Sequence, residues 1–450
     1  MAIRTKAPTE ANIALVRKSG QARRPLVQQL FPPTHALLPQ INQIYELELA
    51  YGEYGQLSDD ELVQRGAYFK SVNGVDTHHY RICISTPDQV NASASQDRKN
   101  FFLANVFAVG YATHGLFPYR GKFHPQMIKA VMNIMGLQPG NTVLDPMAGC
   151  GTTAIEANIM GINAITCDLN PFTCLMTRAK VGVLTMDCSQ FPNILRKSDR
   201  IYESFAPVER QFSRQETIFG SQPEDTFDLE EAFPQLSPSL RELLLLCFFD
   251  SVGYAARRAR KTARDLFPDL LERYLAAVKA FNEVREELTL PLGKTQVLEG
   301  DARELKMPPE RVDGVLFSPP YSFAIDYVEN DRPQLELLKV NVNRLKENMV
   351  GLTGAGKTRE ELLHSRVHNY FQDMQKIMVQ CKGILRSGGY CVIVIGSNTN
   401  QTGGISLESG LIEIGRRIGM PVEFQLSREI EGIRNTMRDE HLLFFRKLAP

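Results

Sequence analysis

Residues 141–168 read NTVLDPMAGCGTTAIEANIMGINAITCD, and this stretch decides the fold. NTVLD is a short apolar run ending on an acid, the pattern of a buried strand. The turn Asp145-Pro146-Met147-Ala148-Gly149-Cys150-Gly151-Thr152-Thr153 follows it. TTAIEANIMG then reads as a helix stopped at Gly161, and NAITCD as a second strand. Strand, tight turn, helix and strand in this order are the grammar of a parallel sheet with helices on its faces.

Outward from that unit, the alternation breaks between about Thr185 and Lys294, where an acidic stretch (Glu224, Asp225, Asp228, Glu230, Glu231) precedes strongly helical sequence. It resumes with the strands TQVLE and VDGVLF, a helix near Tyr370–Leu385, and the strand YCVIVI. A helix in SGLIEIGRRIG and two strands, VEFQL and HLLFFRK, close the pattern. The reading therefore divides the chain into an N-terminal extension (1–110), a catalytic α/β domain in two pieces (111–184 and 295–450), and a helical insertion (185–294).

The glycine turn is built for close approach. Small residues at 148, 149 and 151 let a ligand lie against the main chain, and Thr152 is placed to cap the following helix. The turn lacks the G-x-G-x-x-G spacing of dinucleotide folds, since only Gly149 and Gly151 are present. A strand-end acid precedes the glycines instead, which suits a positively charged ligand better than a pyrophosphate. Asp168 ends the next strand, where a carboxylate can accept hydrogen bonds from both hydroxyls of a ribose. Ser318-Pro319-Pro320-Tyr321 comes directly after VDGVLF, so it and the glycine turn should face one cleft at the carboxyl ends of parallel strands. Two prolines fix the backbone and offer carbonyls without competing N–H donors. A Ser hydroxyl and a Pro carbonyl can accept from the N–H atoms of an amino group conjugated with a base, localising its lone pair. Tyr321 offers a face on which an extruded base can stack.

DPMAGCGTT, CDLNP and SPPY together resemble the S-adenosylmethionine-dependent amino-methyltransferases of DNA, particularly the cytosine-N4 group. YATHGLFPYRGKFHPQM (111–127), RSGGYCVIVIGSNT and MRDEHLLFFRK also look like segments of one branch of these enzymes. The resemblance covers about Tyr111–Leu184 and Thr295–Lys447. It implies a doubly wound, Rossmann-like methyltransferase sheet of seven strands. It implies that Asp145, Ala148, Gly149 and Gly151, with Pro146 and Thr152 in the same turn, hold the methionine part of S-adenosylmethionine, and Asp168 its ribose. Asp301 would contact the adenine amino group, while Lys122 and Phe123 would wall the pocket. Ser318, Pro319, Pro320 and Tyr321 would form the catalytic site, and Ser at the first position is usual for cytosine-N4 enzymes. The expected partner is DNA, with the insertion as target-recognition region and a restriction endonuclease as a possible cognate partner.

Two rival readings stay open: a structured-RNA base methyltransferase, and adenine N6 as the DNA target. Formal net charge is zero, so attraction to nucleic acid must be local. In YAARRARKTAR, residues Arg257, Arg260, Lys261 and Arg264 recur at spacings of three and four, which predicts one basic helix face suited to phosphates. The first 35 residues hold six basic side chains against Glu10 alone, as in a solvated arm. Gly351–Thr358, GLTGAGKT, matches the phosphate-loop pattern letter for letter, but a polar helix-like stretch precedes it where a strand is required. That segment is expected to be a loop over the substrate cleft. The eight cysteines form no C-x-x-C pair, and His364 and His368 lack further ligands at metal spacing, so neither a zinc site nor disulfides are expected. No Pro-Cys dipeptide occurs, which argues against attack on cytosine by a Cys nucleophile. With no apolar run near membrane length and no signal-like start, a cytoplasmic location is the expectation.

Overall fold

The computed structural model describes residues 23–41, 43–87, 106–119, 121–205, 233–257, 261–320, 323, 326–355, 357–397, 402–429 and 439–449. In chain order the first elements are α1 (Arg23–Leu30), β1 (His35–Leu37), α2 (Ile44–Gln56), α3 (Asp59–Arg65), β2 (Phe69–Val72), β3 (Val75–Asp76) and α4 (His78–Ile84). The catalytic half opens with α5 (Pro125–Ile134), β4 (Thr142–Asp145), α6 (Thr152–Ile159), β5 (Asn163–Asp168) and α7 (Pro171–Gly182). Helices α8 (Phe191–Arg196), α9 (Pro238–Arg257) and α10 (Ala263–Glu287) come next. The chain then runs through β6 (Thr295–Glu299), β7 (Val312–Phe317), α11 (Tyr327–Asn330), α12 (Arg332–Leu337) and α13 (Val342–Asn348). It ends with α14 (Arg359–Ile384), β8 (Leu385–Ser397), α15 (Leu407–Arg417), β9 (Val422–Glu429) and β10 (Asp439–Arg446).

Apolar strands bounded by turn residues pair into one seven-stranded sheet of order β6-β5-β4-β7-β8-β10-β9. The first five run parallel, and β10 enters antiparallel between β8 and β9. The order reverses between β4 and β7, so their carboxyl ends flank the crevice in which open α/β sheets bind ligands. This is the expected doubly wound, seven-stranded sheet, with NAITCD, TQVLE and VDGVLF each forming a strand over its full length. Apolar layers cover both faces: Met127, Val131 and Ala154 lie in one core cluster with Leu316 and Val392, while Tyr370, Met374 and Leu411 share another with Val315 and Ile393.

Helices α9 and α10 pack against each other and α9 against α7, so Phe248, Leu271 and Phe172 share one core cluster. Their boundary corrects the expectation of a single basic helix. Thr262 caps a new helix: its Oγ1 accepts from Asp265 N at 3.2 Å, and Asp265 Oδ2 accepts from Thr262 N at 3.0 Å. Arg257 therefore ends α9, Lys261 lies between the helices, Arg264 belongs to α10, and Arg260 lies outside the described residues. Lys261 approaches Asp269 at 3.5 Å and Arg264 pairs with Glu203 at 2.8 Å.

The first elements add a three-stranded sheet, β1-β2-β3, and the helix α2, which packs on α5. Glu53 of α2 is fully buried, accepting from Ala67 N at 2.9 Å and Asn133 Nδ2 at 2.6 Å. No helix among the described residues is long and apolar enough to cross a membrane. Residues 1–22 of the basic arm lie outside the described residues.

Candidate active site

The site grows from the end of β4. Asp145 is fully buried, and its carboxylate is taken up locally: Oδ1 accepts from Met147 N at 3.1 Å and Oδ2 from Thr153 Oγ1 at 2.6 Å. Burial pushes its carboxyl up to about 7, against the lowering effect of those two bonds. Gly149 has φ +50°, and a β-carbon there would meet only the Tyr119 ring, at 3.8 Å. The backbone at this point is open to the cleft, as a close-lying ligand requires. Gly151 serves a different need. At φ +80° it is the N-cap of α6, and a β-carbon would come within 2.7 Å of Thr177 Oγ1. This corrects the capping expectation for Thr152: it is the first residue of the helix, the cap makes no side-chain bond, and Thr153 turns to Asp145 instead.

At the end of β5, the half-buried Asp168 joins the two turns. Its Oδ2 accepts from Gly149 N at 2.8 Å and its Oδ1 from Asn170 N at 2.9 Å. Burial raises this carboxyl too, against those backbone bonds. Asn170 caps α7 through Phe172 N and donates Nδ2 to Asp331 Oδ2 at 2.9 Å. Asp331, buried beside Asp168, is pushed up to about 7. At the end of β6, Asp301 carries both oxygens into a fork with Arg303, at 2.6–3.0 Å. Burial would raise its carboxyl, but the Arg303 bonds and charge hold it below the ordinary carboxylate range.

Beyond β7, Pro319 is buried and Ser318 and Pro320 are half-buried; Ser318 Oγ donates to the Pro319 carbonyl oxygen at 3.4 Å, and both oxygens keep lone pairs with which to accept. Two acceptors thus stand side by side at the mouth of the strand. Tyr321 lies outside the described residues.

One cleft brings these pieces together. Lys122, Phe123, Pro146, Ala148, Gly149, Thr152, Asp168, Asp301, Ser318, Pro319 and Pro320 all line it. Asp145 and Gly151 do not; they sit beneath the turn and shape it. Lys122 points away from a ligand's charge, donating Nζ to the carbonyls of Val109 at 2.8 Å and His114 at 2.6 Å. Burial, with Lys180 next, lowers its ammonium to about 7. The cleft also uses residues that sequence reasoning passed over: Tyr119, Asn170, Tyr327 and the run Asn348–Val350. Asn170 could have been found as a helix cap before Pro171, and Tyr119 lies inside the quoted segment 111–127. Nothing local marks 348–350.

The phosphate-loop look-alike is filled by the protein itself. It follows a helix, α13, and leads into α14, where Thr358 and Glu361 form a capping box. Glu361 Oε2 accepts from Lys357 N at 2.8 Å and from Thr358 N at 3.2 Å, occupying two of the donors a phosphate would need. Among the described residues no group of three or more His, Cys, Asp or Glu is placed to hold a metal ion. The eight cysteines are all free.

Residues 116–211 match the family described as UPF0020, RMKL-like, methyltransferase domain. The chain is 22% identical over 427 residues to the Type II methyltransferase M.MjaII of Methanocaldococcus jannaschii, covering 70% of this chain and 78% of that protein. It is 21% identical over 305 residues to the Type II methyltransferase M.BsoBI of Geobacillus stearothermophilus, covering 57% of this chain and 59% of that one. A 54-residue stretch, 12% of the chain, is 33% identical to part of the tRNA (guanine(10)-N2)-dimethyltransferase of Methanothermobacter thermautotrophicus, 16% of its length. The family match marks residues 116–211 as resembling the methyltransferase class, in a sheet whose order and glycine turn suit a bound ligand. Within that class its relatives include Type II methyltransferases.

Proposed function

We propose that this protein methylates an exocyclic amino nitrogen of a base in DNA, cytosine N4 first, in a restriction-modification setting. The observation that carries the proposal is the shared cleft of the 146–152 turn and Ser318-Pro319-Pro320. The cofactor's fit rests on two features: the open backbone at Gly149, and two acids, Asp145 and Asp168, facing or underlying the place where a cationic ligand would lie. In this reading Pro146, Ala148, Gly149 and Thr152 hold the methionine part, Asp168 the ribose and Asp301 the adenine end, with Lys122 and Phe123 as wall. When bound, the cofactor supplies an electrophilic methyl group on a sulfonium.

The chain's own residues then do the rest. Ser318 Oγ and the Pro319 carbonyl accept from the amino N–H atoms, so the nitrogen lone pair is no longer shared with the ring and points along the transfer line. Pro320 keeps the backbone in place, and Tyr321 stacks on the extruded base. Transfer is one in-line step without a covalent protein–base bond. We assign contact with the target to 185–294, where α9 packs on α7, the helix that Asn170 caps, and α10 packs on α9. The separate placement of Lys261 and Arg264 leaves no single basic face to name there.

Similarity of a short stretch to a tRNA guanine-N2 enzyme favours structured RNA as the second reading. Incubation of the purified protein with methyl-labelled S-adenosylmethionine and either duplex DNA or bulk tRNA separates them. Label in DNA is expected, and label in tRNA alone would replace the first reading with the second.

A further inference from the structure

Arg303 stands two residues beyond Asp301, in a one-turn helix covering Ala302–Glu304. Its guanidinium holds three partners. Nε lies 2.9 and 3.0 Å from the two Asp301 oxygens, and Nη2 lies 2.6 Å from Asp301 Oδ2. Nη1 reaches Asp373 Oδ2 of α14 at 3.0 Å, and Nη2 also reaches the carbonyl of Asn348 at 2.8 Å. The side chain is 18% exposed, so its bonds to the two carboxylates are partly shielded from competing water, while the bond to Asn348 lies at the surface. Asn348 closes α13, and Met349 and Val350 directly after it line the cleft. On the far side of that pair, Arg366 Nε donates to the carbonyl of Gly351 at 3.0 Å. Residues 349 and 350 are thus strung between two guanidinium anchors, and Val350 is buried in the same core as Leu305 and Tyr370.

We infer that Arg303 is a positioning residue that ties Asp301, α14 and the 348–350 segment into a clasp over the cleft, and so sets how fast the cofactor and its demethylated product leave. The inference rests on the cofactor reading of that cleft. Only a planar fork serves three partners at once; an ammonium in the same place is a point charge without that geometry. Because Arg303 acts through Asp301 and the clasp and not on the reacting atoms, its loss should change residence and KM far more than the chemical step.

The test compares wild type, Arg303→Lys and Arg303→Met, measuring S-adenosylmethionine KM, kcat at saturating cofactor, and the dissociation rate of S-adenosylhomocysteine by stopped flow. Both variants should release S-adenosylhomocysteine about tenfold faster or more, with KM raised similarly and kcat within about twofold, the size expected for losing charge-assisted hydrogen bonds. Asp373→Asn should move the same quantities in the same direction by less. If Arg303→Met fails to fold, Arg303→Lys and Asp373→Asn decide the matter. Unchanged release in folded variants, or a fall in kcat with release unchanged, overturns the clasp. Failure of the wild type to bind S-adenosylmethionine at all strikes the cofactor reading itself, a separate outcome.

Discussion

Gly149 carries the sharpest single-residue test. Its β-carbon position faces open cleft, so Gly149→Leu should abolish S-adenosylmethionine binding by calorimetry while the melting temperature falls only slightly. Normal binding by that variant would contradict the site. The two acids give a pH test. Burial holds Asp145 near 7 and raises Asp168, and a cationic ligand favours their ionised forms. Binding then expels protons, so affinity should rise as pH climbs from about 6 to 8, less steeply for S-adenosylhomocysteine, which lacks the sulfonium charge. A flat or falling profile for both ligands would mean the acids do not sense the cofactor. At the catalytic end, Ser318→Ala should slow transfer in part, because the Pro319 carbonyl remains. Tyr321→Ala should cost more, as base stacking is worth about 1–3 kcal/mol. At this scale much of the cleft's lining was legible, because glycines, strand-end acids and a double proline act through local geometry. Asp301 and Lys122 were legible as positions but not as partners: the Arg303 fork and the two carbonyls on Lys122 depend on chain neighbours that no spacing encodes.

At the scale of elements, periodicity and turn chemistry did well for strands and poorly for helix ends. NAITCD, TQVLE and VDGVLF are short segments with an apolar centre or end and turn residues nearby, and each became a strand of that length. Helix α14, by contrast, begins at Arg359, eleven residues before Tyr370, because the Thr358–Glu361 capping box starts it while its first turns are polar. The same kind of signal, Thr262 followed by Asp265, splits the stretch read as one basic helix. Spacing of charges was followed there where capping should have been. The α14 cap also gives a prediction. With Glu361 seated on the donors of Lys357 and Thr358, Lys357→Ala should leave S-adenosylmethionine affinity unchanged, and the wild type should show no ATP hydrolysis. ATPase activity lost in Lys357→Ala would contradict this account of the loop.

Across the whole molecule, the catalytic half is braced by segments far away in sequence. Tyr274 of α10 donates to Asp250 Oδ2 at 3.0 Å and accepts from Phe117 N at 2.8 Å. Arg428 joins Glu440 and, by cation–π contact, Tyr45 of α2. Behind the glycine turn, Glu156 is fully buried and gathers His114 at 2.6 Å, Tyr111 at 2.7 Å and Lys129 at 3.5 Å. Burial alone would raise its carboxyl, yet Lys129 and His114 hold it at about 2. Glu156→Ala would strand those partners in the core, so denaturant unfolding should show a loss of about 3–5 kcal/mol. A loss under about 1 kcal/mol would mean the cluster does not brace the turn. Such long-range pairings leave no mark on local patterns, which is why the packing of α2 on α5 and of α9 on α7 was not legible beforehand. The central claim, methyl transfer to a base amino nitrogen in DNA, is met most directly by nucleoside mass spectrometry of duplex DNA treated with the purified protein and S-adenosylmethionine. N4-methylcytosine is the expected product. A 5-methylcytosine product, or DNA left unmodified while RNA is methylated, would contradict it.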